Sequence, residues 1–135
     1  MANEVFTKEE KAAMREAARE RKAKLSEAEA EAQVLEKIKA MAPADRKLAE
    51  KVHKLLQQNR PDLKPKTWYG MQAYFKGPKV AVFFQDGGKF QSRYCTLGFQ
   101  EDAALDEGSM WATSFAVINI DATVEKQIVA LLKRV

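Results

Sequence analysis

Apolar positions recur with two different spacings along this chain, and the change falls near residue 66. Before it the apolar residues return every three to four positions, the period of a helix with one buried face. Thr7 followed by Glu10 reads as a capping box that opens a helix running to about Lys24. Its apolar positions are mostly alanine (Ala12, Ala13, Ala17, Ala18) with Met14. So thin a stripe buries little area, and the helix either docks weakly, packs on a second subunit or frays. Ser26 and Glu29 form a second capping box, ahead of a helix with Val34, Leu35, Ile38 and Met41 on one face. Pro43 suits the first turn of a third helix, where its missing N–H costs nothing. Leu48, Val52, Leu55 and Leu56 make that helix's apolar stripe, Asn59-Arg60-Pro61 ends it, and Pro65 keeps the next link extended.

From Thr67 onward the spacing is that of strands. Lys66–Phe75, Arg93–Phe99 and Gly108–Val117 crowd aromatic and β-branched residues and are each interrupted by glycine or a small residue, a composition for a pleated, half-buried surface. Met71–Phe75 is expected as a strand, Gly77-Pro78 as a turn, and Val80–Gln85, apolar on both faces, as a central strand. Asp86-Gly87-Gly88 reads as a tight hairpin turn. Phe90–Phe99 then returns, Glu101–Ser109 is a polar loop, and Ala112–Ile118 is the last strand. Asp121 caps a final helix with Val124, Ile128, Leu131, Leu132 and Val135 on one side. Helices, then strands joined by short links, then a helix imply an α+β fold in two layers. The expected sheet is antiparallel, with about four to five strands and helices on one face. Residues 1–32 read as a charged helical extension and 33–135 as the α+β domain.

Charge narrows the function classes. Residues 1–66 carry 16 Lys/Arg against 12 Asp/Glu and residues 67–135 carry seven of each, so the net +4 lies wholly in the helical half. There the signs are interleaved. A nucleic-acid binder gathers its positive charge on one face, and the nearest strip, Arg19-Glu20-Arg21-Lys22-Ala23-Lys24, is broken by acid. It reads as a solvated helix face, and no nucleic-acid partner is expected. The start lacks the basic and apolar regions of a secretory signal. Apolar runs such as Val80–Phe84 fall far short of the ~20 residues of a membrane span. A single cysteine forms neither an internal disulfide nor a CxxC knuckle. A cytoplasmic address with no membrane partner follows.

The motifs WYGM-x-AY-F, a glycine hairpin, F-x-x-RY-x-TLGF and G-x-MW-x-TSFA, closed by an amphipathic helix, resemble the YdhG-like family. That is a bacterial domain of unknown function grouped with frataxin-like folds. The resemblance covers about residues 33–135. It departs from the family at Gln72 and Ala112, where relatives commonly carry proline, which leaves the fold intact but lessens local stiffness. One frataxin-like member is described as an intracellular iron chaperone. The resemblance therefore implies an iron-handling accessory that holds iron weakly through carboxylates, has no tightly bound cofactor, and serves iron–sulfur or haem assembly proteins.

If iron is held, hard oxygen ligands must supply the site. Glu101, Asp102, Asp106 and Glu107, four acids within seven residues, are the best cluster, although acidic loops are more often solvated turns. Glu27, Glu29 and Glu31 are a poorer second, because alternate helical positions point different ways. His53, the only histidine, reads as a boundary residue beside an apolar stripe. Cys95 shares strand parity with Leu97 and Phe99 and reads as a buried small hydrophobe. No nucleophile elbow, phosphate loop or dinucleotide fingerprint is present, so an enzyme using Cys95 or His53 has no motif behind it. The aromatics offer a rival to iron. Most pack between sheet and helices. Should Trp68, Tyr69 and Trp111 converge at one sheet edge, they would line a small-molecule or protein-binding surface. The assembly is expected as a monomer or homodimer.

Overall fold

The computed structural model describes residues 6–22 and 26–135, and among these it forms four helices and one five-stranded antiparallel sheet. The order is α1 (Lys8–Lys22), α2 (Glu27–Ala40), α3 (Pro43–Asn59), β1 (Lys64–Trp68), β2 (Met71–Lys76), β3 (Lys79–Gln85), β4 (Cys95–Phe99), β5 (Ser114–Val117) and α4 (Ala122–Leu132). Strand order in space equals strand order in sequence, so the sheet is a meander with β3 at its centre and β1 and β5 at its edges. The expected two-layer α+β architecture stands.

Local chemistry sets the helix starts. Thr7 and Glu10 exchange backbone–side-chain bonds of 2.8 and 3.0 Å, and Ser26 and Glu29 do the same at 3.3 and 3.2 Å. The Asp121 carboxylate accepts from the Val124 N–H at 2.9 Å and starts α4. The expected end of the first helix at Lys24, and the last two residues of the basic strip, lie outside the described residues.

One face of the sheet carries the core. The register places Tyr74 opposite Val82, Val82 opposite Phe99, Phe84 opposite Leu97, and Cys95 opposite Val117. All of these are buried in one cluster with Val34 and Ile38 of α2, Val52, Leu55 and Leu56 of α3, and Ile128 and Leu132 of α4. A bulge between Tyr74 and Phe75 makes Ala81 the extra residue of β3 and turns it into that core.

Three sequence expectations change. Leu35 is 41% exposed, and the buried stripe of α2 is Ala30, Val34 and Ile38, four residues apart. Lys64–Trp68, read as an extended link, is a full edge strand, since proline is tolerated where the missing N–H faces no neighbour. Trp68 pairs with Met71 across a two-residue turn in which Tyr69 (φ 52°) and Gly70 (φ 74°) are both left-handed, the demand of a tight hairpin. Asp86-Gly87-Gly88 does not close such a turn. Gly88 N–H donates to the Asp45 carboxylate of α3 at 2.8 Å and Gly87 N–H to Cys95 Sγ at 3.4 Å, so the glycines dock a longer loop and β4 begins only at Cys95.

The loop between β4 and β5 is less polar in place than in sequence. Ala103 and Leu105 are buried, and the Ala104 N–H donates to the Arg134 carbonyl at 2.8 Å, tying the loop to the end of α4.

Candidate functional site

The second face of the sheet is only partly covered. Alternation puts Lys66, Trp68, Ala73, Phe75, Phe83 and Gly98 on it. The Phe83 ring lies over Gly98, where any Cβ would collide with it, so glycine is required for the ring to lie flat. Trp68 packs against Phe83 at 5.3 Å between centroids and takes Tyr69 edge-on at 5.1 Å. A groove of about 620 Å³ opens beside these rings, walled by Trp68, Tyr69, Phe75 and Val80 and rimmed by Lys66, Lys79, Glu101 and Asp102. Its far side is α1, through Ala17 and Glu20.

Helix α1 is held there by hydrogen bonds more than by apolar area. The Glu20 carboxylate accepts from the backbone N–H groups of Tyr69 (2.9 Å) and Gly70 (3.3 Å), and Glu16 pairs with Lys37 of α2 at 3.0 Å. The alanine stripe does dock, with Ala13 and Ala17 buried, but it stands apart from the main core. Lys66 sits over the Phe75 ring at 5.5 Å, and no carboxylate pairs with it among the described residues. Lys79 faces both Glu101 and Asp102 at 3.9 Å.

The structure thus brings Trp68, Tyr69, Glu101 and Asp102 to one groove. It does not bring Trp111 there. Trp68 is on edge strand β1, whereas Trp111 precedes the opposite edge strand β5, and three strands lie between. The condition that the three aromatics converge at one edge is met by a pair and not by Trp111, because the meander sends the chain across the whole sheet between them. Nor do the four loop acids gather. Glu101 and Asp102 turn to Lys79, and the Asp106 carbonyl accepts from Arg134 Nη2 at 3.3 Å. Among the described residues no three acid, histidine or cysteine side chains stand close enough to share an ion. The helical acids also diverge, with Glu27 near Lys64 at 3.7 Å and Glu31 turned inward.

Sequence reasoning missed what Glu31 turns toward. His53 is buried, not a boundary residue, and belongs to a polar chain that crosses the core. Gln72 Nε2 donates to the Ala49 carbonyl at 3.0 Å and to Tyr74 Oη at 2.8 Å. With its oxygen already accepting from Gln72, the Tyr74 hydroxyl donates to His53 Nδ1 at 2.8 Å. The neutral imidazole then carries its proton on Nε2, facing Glu31 Oε2 at 3.5 Å, and Gln57 Nε2 donates to the same carboxylate oxygen at 2.6 Å. Burial lowers the His53 pKa from 6.5 against the opposing pull of Glu31, and burial raises that of Tyr74. Gln72 Oε1 is buried and has no hydrogen-bond partner among the described residues. The one signal in the sequence was Gln72 itself, a polar residue where the resembled family carries proline.

Cys95 is buried as expected, with its thiol raised to about 11 chiefly by burial. It donates to Asp45 Oδ1 at 3.3 Å. Asp86, beside it, is also pushed up by burial. A protonated thiol under a loop is no nucleophile in this state. No helix among the described residues is long and apolar enough to cross a membrane. Compared with protein-family models, curated proteins and solved structures, the chain matches none.

Proposed function

We propose that this chain is a binding module whose ligand lies in the groove on the partly covered face of the sheet. The observation that carries this reading is the groove itself: aromatic walls of Trp68, Tyr69 and Phe75, open on one side, with the Lys66 ammonium at the rim and no acid among the described residues paired to it. Apolar walls supply affinity, and a few polar groups orient what is bound. The matching ligand is amphipathic, a ring or short apolar chain bearing a carboxylate or other anionic group within reach of Lys66. The backbone of the β1–β2 turn is already engaged by Glu20, so selectivity falls to the side chains.

Iron handling and the YdhG-like kinship rest on the sequence motifs alone, since no three of the acids proposed for the metal stand together among the described residues, and Glu101 and Asp102 both face Lys79. The groove reading has a direct test. An aromatic anionic dye such as anilinonaphthalene sulfonate binds the folded protein with a rise in dye fluorescence. Trp68→Ala and Lys66→Glu each weaken binding roughly tenfold, the scale of losing one anchoring contact, with the far-ultraviolet dichroism unchanged. Equal binding by the parent and Trp68→Ala would place the dye elsewhere and remove the groove from consideration.

A further inference from the structure

The two edges of the sheet are built differently. Edge strand β1 contains Lys64, Pro65 and Lys66 and lies against α2. Charge, proline and a covering helix are means by which proteins stop an edge from pairing with another chain. Edge strand β5 has neither the charge nor the proline, and α4 stands beside it across an open groove. Residues 108–120 contain no charged side chain and no proline, and the strand's one protection is its length of four residues.

Its free backbone groups can be assigned. Phe99 N–H donates to the Thr113 carbonyl at 2.8 Å, so by antiparallel alternation Phe115 and Val117 turn their backbone groups toward β4. Ser114 and Ala116 turn theirs outward. Beside this edge an apolar groove of about 500 Å³ runs between β5 and α4, lined by Phe115, Ile118, Val124 and Leu131. Ile118 is 75% exposed, and Met110, just before the strand, is 89% exposed.

We propose that this edge seats a second copy of the same chain, β5 pairing antiparallel with its counterpart about a two-fold axis, so that the two sheets become one. Charge selects this occupant. Exposed Asp121 and Glu125 lie at the start of α4 and exposed Lys133 and Arg134 at its end, with Lys126 between. A two-fold axis sets two such helices antiparallel, acidic end to basic end. A helix with opposite charges at its two ends is complementary to its own reversed copy, and the uncharged strand brings no like charges face to face. Pairing β1 with itself would instead set lysine against lysine, which is destabilising. A four-residue strand is too small alone for the ~1,200–2,000 Å² of a stable interface. The β5–α4 groove and the apolar side chains at its mouth provide the rest.

Sedimentation of the full chain over a concentration series tests this. The expected mass is twice 15.2 kDa, and in the dimer the outward Ala116 amide exchanges its hydrogen slowly. Ile118→Lys, at a site exposed enough to leave the monomer folded, raises the dimer dissociation constant roughly tenfold or more. Glu125→Lys also weakens the dimer, and adding Lys133→Glu restores it. Three results overturn the proposal: a monomer at every concentration, a dimer in which the Ala116 amide exchanges freely and Ile118→Lys has no effect, or a monomer that pairs only with an added extended peptide.

Discussion

At the scale of single residues, the Tyr74 side chain ties β2 to α3 from within the core. Its hydroxyl accepts from Gln72 on its own strand and donates to His53 on α3, in a place closed to water. Tyr74→Phe would leave a donor and an acceptor without partners there, and should cost about 1–3 kcal/mol in a denaturant titration. His53 contributes a pH dependence of defined sign. Its folded pKa lies below the unfolded 6.5, so the unfolded chain takes up the proton first. Stability is full above pH 6.5 and falls as pH drops from there toward the folded value. Melting temperatures across that interval should show this slope, and His53→Gln should flatten it. Asp86 acts with the opposite sign at lower pH: its pKa is raised above 3.8, so stability declines as pH rises from 3.8 toward that higher value. Cys95, at about 11 and buried, should resist a thiol reagent near neutral pH until denaturant is added. Rapid labelling of the native protein would contradict its placement.

At the scale of elements, the helices differ in what holds them. Helix α2 starts on a reciprocal cap and buries Ala30, Val34 and Ile38. Ser26→Ala should therefore cost about 1 kcal/mol, measurable by thermal unfolding. Helix α1 has the same kind of start but, among its described side chains, buries only alanines, and depends on Glu20 reaching the Tyr69–Gly70 turn. Glu20→Ala should speed amide exchange throughout α1 while that of β2 and β3 stays as it was; equal protection in α1 would show that the alanine contacts suffice. The turn itself is strained at Tyr69, where a non-glycine residue adopts a positive φ. Gly70→Ala should be worse, since the added Cβ meets both that backbone conformation and the Glu16 carboxylate.

Across the whole molecule, helix positions and the antiparallel class of the sheet were legible in the sequence, because capping pairs and apolar spacing are local signals. The Thr7, Ser26 and Asp121 caps and the buried faces of α3 and α4 follow from residues within a turn of each other. The candidate site was legible in part. Trp68 and Tyr69 were marked by composition, but Trp111 belongs to the other edge, and of the acids clustered in sequence Glu101 and Asp102 face Lys79 while no three gather among the described residues. The glycine pair after β3 misled for a related reason: a hairpin motif read locally was used instead to receive Asp45 from α3.

The order of residues alone determined where the chain coils, where it extends and which side of each segment avoids water, since those depend on backbone freedom and on neighbours three or four positions away. Tertiary structure decided that His53 meets Tyr74 and Glu31, that Lys66 stands over the Phe75 ring, and that one sheet edge carries lysine and proline while the other carries neither. Each of these joins residues distant in the chain, and their chemistry depends on separation and burial in space, which no local spacing encodes.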